Sequence, residues 1–148
     1  MISTFSDPFS VVLIEDDEGH ANLIKRNLQR VGVMNPILHL KTGAEAISTF
    51  FPKPPPAQSH ERRVVVLDLN LPDIDGFEIL RRLKEDEVTR KMPVIVLTTT
   101  DNPKDIDRCY ALGCNVFMIK PVGYDEFSEA IRKLGLWLTV VRVPHIHV

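Results

Sequence analysis

An open α/β fold, a parallel sheet with helices on both faces, follows from three observations on the sequence. Four runs, Val11–Ile14, Val64–Leu67, Val94–Leu97 and Val116–Ile119, are short, unbroken and apolar, as strands buried on both faces are. Segments with apolar residues three or four apart lie between strands, so strand and helix alternate and the sheet is doubly wound. Each of the four runs also ends in reactive groups: Glu15-Asp16-Asp17, Asp68, Thr98 and Lys120. In such a sheet the crevice outside the carboxyl ends of the strands is where ligands bind.

Val11–Ile14 is the first strand. Over Asp17–Val31, Ala21, Ile24, Leu28 and Val31 line one helical face. Pro36–Leu40 is a short second strand. Thr42-Gly-Ala-Glu45 has capping-box spacing and opens a helix whose Ala46, Ile47, Phe50 and Phe51 face inward. The proline-rich stretch from Pro52 to Glu61 stops that helix and forms an extended connector. Val64–Leu67 is the third strand, and a helix from near Gly76 buries Phe77, Leu80 and Leu83. The fourth strand is Val94–Leu97. Asn102-Pro103 is an N-cap followed by proline at the first helical position, and that helix stops at Gly113. Val116–Ile119 is the fifth strand, with a fifth helix from Tyr124 or Asp125. No internal repeat interrupts this series. One domain over residues 11–134 results, with residues 1–10 as a tail and 135–148 as an apolar extension.

At 148 residues the chain is long enough for one sizeable core. Its 26% charged and 44% hydrophobic residues are ordinary for a globular protein. A net charge of −2 makes no electrostatic case for nucleic acid. No apolar run reaches the ~20 residues of a membrane span, and residues 1–8 lack the basic and apolar regions of a secretion signal. A cytoplasmic protein is expected. Cys109 and Cys114 have no partner Cys or His at metal-ligand spacing and read as free thiols. His20, His39, His60, His145 and His147 share no spacing and read as incidental.

An acidic pair, a lone aspartate, a threonine and a Lys-Pro at four strand ends form a specific set. It resembles the receiver domains of two-component response regulators, over most of the chain from Val11 to Leu134. The turn Asn70-Leu-Pro72 with Asp75-Gly76 is similar to the family's. The resemblance implies a five-stranded sheet in the order 2-1-3-4-5. It also implies a Mg²⁺-dependent phosphoacceptor that takes its phosphoryl group from a sensor histidine kinase. The chemistry fits the residue types. A carboxylate such as Asp68 can act as nucleophile toward phosphorus, and the charge that builds on the transferring oxygens requires a hard cation and fixed donors. Crowded carboxylates repel by roughly 1–4 kcal/mol per pair at about 4 Å, which a metal relieves.

Glu15, Asp16 and Asp17 are each candidate metal ligands. Asp17 is well placed as the N-cap of the first helix, with Glu18 favourable in its first turn. Glu15 and Asp16 then remain as the pair at the strand end, in agreement with family spacing. The resemblance implies that Asp16 and Asp68 bind Mg²⁺ directly, that Glu15 acts through water, and that the main-chain carbonyl of Asn70 is a further ligand. It makes Thr98 the hydroxyl switch and Lys120 the partner of a phosphoryl oxygen. Phe117 stands at the aromatic switch position, and ordinary strand packing explains it equally well. Pro121 can follow Lys120 through a cis bond, which would aim the ammonium at the site.

Leu136, Trp137, Leu138, Val140, Val141 and Val143 are too apolar for a solvated tail. They either prolong the fifth helix and fold back, or cross to a second chain as the arm of a homodimer, which is the preferred expectation. This ending, with the Leu-Thr-Thr and Lys-Pro-Val runs, resembles receivers paired with bacterial phytochrome histidine kinases, and output through protein contact is implied. A phosphate sink and a constitutive dimeric binding module are alternatives within this fold. An aspartate phosphatase would want an acid where Asn70 stands, and a flavin binder would not place Glu15-Asp-Asp-Glu18 against a phosphate.

Overall fold

Val11, Val12, Leu13 and Ile14 are all buried, and successive side chains enter opposite cores. That is why the run is unbroken rather than alternating. The computed structural model describes residues 9–55 and 62–140. Its elements are β1 (Ser10–Ile14), α1 (Glu18–Arg30), β2 (Ile37–Leu40), α2 (Gly43–Phe50), β3 (Arg63–Leu67), α3 (Gly76–Glu85), β4 (Val94–Thr98), α4 (Pro103–Leu112), β5 (Val116–Ile119) and α5 (Tyr124–Leu138). A 3-10 turn at Thr89–Lys91, unsignalled by periodicity, precedes β4. All strand pairs are parallel and the order is β2-β1-β3-β4-β5.

One core lies under α1 and α5, where Ala21, Ile24 and Leu28 meet Phe127, Ile131, Leu134 and Leu138. The other lies under α2, α3 and α4, around Ala46, Phe50, Ile79, Leu80, Leu83 and Cys109. Cys109 and Cys114 are both buried free thiols, and burial pushes the Cys109 thiol up to about 12. Local caps close the helices as their residues require. Asp17, Thr42, Asp75 and Asn102 each accept a backbone N–H in the first turn. In α2 the return bond of the capping box reaches Lys41 N at 3.1 Å, one residue before the cap. Gly113 ends α4 at φ 107°, a left-handed conformation that glycine adopts without a Cβ clash.

Two boundaries and one peptide differ from expectation. Residues 9 and 10 belong to the fold: Phe9 is buried and Ser10 N donates to Arg62 O at 2.9 Å. The fifth helix continues past Leu134 to Leu138. Gly135 permits this, because a Cβ there would meet Val31 Cγ2 at 2.3 Å. The side-chain-free position lets α5 lie directly on the end of α1. Leu138, expected in an arm, is therefore buried in its own chain's core. Val141 and Val143 lie outside the described residues, as do residues 1–8, 56–61 and His145 and His147. The Lys120–Pro121 bond is trans. The ammonium is aimed instead by β5 pairing, since Lys120 N donates to Thr98 O at 2.7 Å.

Candidate functional site

Backbone pairing carries the sheet one residue beyond the strands on one rim. Glu15 N donates to Leu40 O at 3.0 Å and Asp68 N to Ile14 O at 3.0 Å. With the Lys120–Thr98 bond, these place Glu15, Asp68, Thr98 and Lys120 along the carboxyl edge of four neighbouring strands. All four are buried. Buried charge demands a partner, and here the partners are one another. Lys120 Nζ donates to Asp68 Oδ2 at 2.9 Å and, in a short contact, to Glu15 Oε1. Burial alone would lower the ammonium's pKa, but the two carboxylates outweigh it and hold it above the ordinary lysine value. Burial raises the Glu15 carboxyl to about 7; Lys120 opposes this shift and the charge of Asp68 reinforces it.

Asp16 is exposed at the mouth, and Asp17 serves the helix. Asp17 Oδ1 accepts from His20 N at 2.9 Å, and that bond leads in holding its carboxyl below the usual range. Oxygens of Glu15, Asp16 and Asp68 all lie within 4.8 Å of one another, the cluster of this kind among the described residues. Opposite oxygens on Mg²⁺ lie about 4.2 Å apart, close to this spread, so the three acids suit a hard divalent cation.

The loop after β3 shapes the rest. Asn70 N donates to Asp68 Oδ1 at 3.1 Å, and Asn70 Nδ2 reaches Thr98 Oγ1 at 3.2 Å. Gly76 N returns to Leu69 O at 3.1 Å, and a Cβ on Gly76 would stand 2.4 Å from Leu69 Cα. Only glycine lets α3 start so close to the strand's exit. Asp73 ties the loop to α2 by accepting from Gly43 N and Ala44 N, both at 2.8 Å.

Of the residues singled out by the sequence, Glu15, Asp16, Asp68 and Lys120 meet, and Thr98 joins them through Asn70. Phe117 is half-buried against the core beneath α4, and its N donates to Tyr110 Oη at 3.1 Å. Leu136, Trp137 and Val140 are exposed on the far side of α5 and just beyond it. His20, read as incidental, belongs to the site: Nδ1 lies 3.2 Å from Lys120 Nζ, and the ring stacks on Phe127 at 5.4 Å. Its signal was positional, three residues after an N-cap that itself follows the acidic strand end.

A 2-1-3-4-5 parallel sheet with acids at the ends of β1 and β3, a hydroxyl at β4 and a lysine at β5 defines a receiver. Residues 11–132 match the model of the response regulator receiver domain, and the chain belongs to that family of two-component signalling proteins. The crystal structure of a response regulator receiver domain from Rhodospirillum rubrum is 45% identical, with a TM-score of 0.88 over 94% of this chain and 99% of that one. The Mn²⁺-bound form of response regulator Rcp1, a protein of Synechocystis, is 27% identical with a TM-score of 0.81, covering 93% and 99%. The phosphorylated cyanobacterial phytochrome response regulator RcpA is 26% identical with a TM-score of 0.80, again covering 93% and 99%. Among the described residues no helix is long and apolar enough to cross a membrane.

Proposed function

We propose that Asp68 accepts a phosphoryl group from a sensor histidine kinase, in the presence of Mg²⁺, and that the phosphorylated chain acts through protein contacts in the cytoplasm. The observation that carries this reading is the Asp68 carboxylate, buried at a strand end, bonded to Lys120, and clustered with Glu15 and Asp16. An Asp68 oxygen forms the bond to phosphorus while the bond from phosphorus to the donor's nitrogen breaks and the imidazole departs. Asp16 and Asp68, the Asn70 carbonyl, and Glu15 through water would hold the cation, which neutralises charge on the transferring oxygens. Lys120 turns one N–H to a phosphoryl oxygen. Thr98, whose hydroxyl accepts from Asn70 in this structure, swings to donate to another, and Phe117 rotates into the space it leaves.

A phytochrome-type kinase is the favoured partner, on the likeness to RcpA. A homodimer is favoured by Leu136, Trp137 and Val140, apolar residues 57%, 37% and 74% exposed at the end of α5, from which residues 141–148 continue. Incubation with acetyl phosphate and Mg²⁺ tests the central step. One acid-stable, base-labile phosphoryl group on Asp68, absent from Asp68→Asn, is expected. Full labelling of that variant would sink the assignment.

A further inference from the structure

We propose that His20 is a positioning residue for phosphoryl transfer, an acceptor that holds the third N–H of Lys120. This rests on the reading of Asp68 and Lys120 given above. An ammonium has three donors and no acceptor. In this structure one N–H goes to Glu15 and one to Asp68, and His20 Nδ1 lies at hydrogen-bond distance, 3.2 Å, from the same nitrogen. Because Lys120 can only donate, the contact is a hydrogen bond when Nδ1 accepts, which requires the ring proton to be on Nε2. The two carboxylates approach from the core, whereas His20 approaches from α1 at the mouth, where its side chain is 41% exposed. Without it, the third N–H has no partner on the mouth side, and the two carboxylates alone fix the ammonium.

The ring is itself held from two sides. Its backbone N–H is fixed by the Asp17 cap, and its face stacks on Phe127 of α5 with an interplanar angle of 26°. Phe127 is buried, so the acceptor's direction is set by the packing of α1 on α5. A lysine is a compact point charge with rotatable donors. Three fixed acceptors convert it into an oriented one. On transfer, one N–H can turn to the phosphoryl oxygen while the others keep the ammonium in place. An imidazole nitrogen that accepts carries no negative charge, so it adds no repulsion toward the incoming phosphoryl group as a third carboxylate would.

The test compares His20→Phe, His20→Gln and wild type with acetyl phosphate as donor and Mg²⁺ present. Phe retains a ring for Phe127 but has no acceptor, and Gln restores an acceptor. The maximal phosphorylation rate of His20→Phe should fall about tenfold, the scale of one hydrogen bond to a charged group. The donor concentration at half-maximal rate should stay within about twofold. His20→Gln should recover most of the lost rate. Separately, ¹H–¹⁵N NMR of the unphosphorylated protein should show His20 protonated on Nε2 alone, and His20→Phe should broaden or shift the Lys120 ammonium resonance. An unchanged rate in His20→Phe, no rescue by Gln, or a proton on Nδ1 would each overturn the proposal. Failure of the wild type to take up phosphate would count against Asp68 as acceptor. The NMR result would then still decide whether His20 holds Lys120.

Discussion

Two regions of this molecule invert the usual placement of residues, and they do so in opposite ways. At the carboxyl rim of the sheet, Glu15, Asp68 and Lys120 are 1%, 5% and 4% exposed although all are ionisable. Beyond the β5 edge and along the outer side of α5, Ile119, Val122, Leu136 and Val140 are 44%, 106%, 57% and 74% exposed although all are apolar. The rim is complete within one chain, because each buried charge has a partner at hydrogen-bond distance. The outer face has no such completion among the described residues. A cavity of about 180 Å³ opens there between Val116, Met118, Lys133, Leu134 and Trp137. Damage at the rim should therefore register as lost stability of the isolated chain. Damage at the outer face should register only when chains are allowed to meet.

The largest effect is expected from Lys120→Ala. Removing the shared cation leaves two buried carboxylates facing each other, at a cost of up to ~3 kcal/mol in metal-free protein by urea unfolding. Mg²⁺ should restore much of that stability and bind more tightly than to wild type, since a competing cation is gone. A variant as stable as wild type without metal would contradict the picture of a mutually dependent rim.

Gly135→Val probes the joint between the two regions. Its side chain must displace Val31 at the α1–α5 contact, and a loss of about 1–3 kcal/mol is expected from overpacking. A thermal melt that matches wild type would mean that α5 does not need its close seat on α1.

Next come the neighbouring acids. Asp17→Ala should cost about 0.5–2 kcal/mol through the lost helix cap and leave Mg²⁺ titrations nearly unchanged. Asp16→Ala should do the reverse. Abolished Mg²⁺ binding in Asp17→Ala, with binding intact in Asp16→Ala, would shift the metal assignment by one residue.

At the outer face, Leu136→Asp with Val140→Asp should change the unfolding free energy of the chain by no more than about 0.5 kcal/mol per site. Sedimentation should nevertheless move from dimer to monomer at micromolar protein. Monomers for both wild type and variant, phosphorylated or not, would remove the dimer from the proposal and leave the apolar face without that partner.

Much of this was legible in the residues alone. The strands were readable because a doubly buried strand has to be apolar throughout, as Val11–Ile14, Val64–Leu67 and Val94–Leu97 are; Val116–Ile119, equally apolar, is instead the edge strand, half-buried with Ile119 exposed. Helix starts were readable because Asp17, Thr42 and Asn102 satisfy N–H groups two or three residues away, a purely local requirement. The resemblance supplied the strand order, and pairing within the sheet follows it. The composition of residues 136–143 also announced that they need cover, but could not say whose.

Tertiary structure decided the remainder, for reasons of distance along the chain. Lys120 meets Glu15 across 105 residues and Asp68 across 52, contacts that no local pattern encodes. His20 looked incidental because its importance lies in a lysine 100 residues away and in the Phe127 ring. Gly135 resembles a helix terminator in sequence, yet serves as the point of closest approach between α5 and α1 because a Cβ has no room there. That contact carries the helix on to Leu138 and turns part of an expected arm into core. Sequence by itself determined what each segment must be and which groups reach the rim. Only packing determined which of them touch, because side chains far apart in sequence are brought within 3 Å by the arrangement of whole helices and strands.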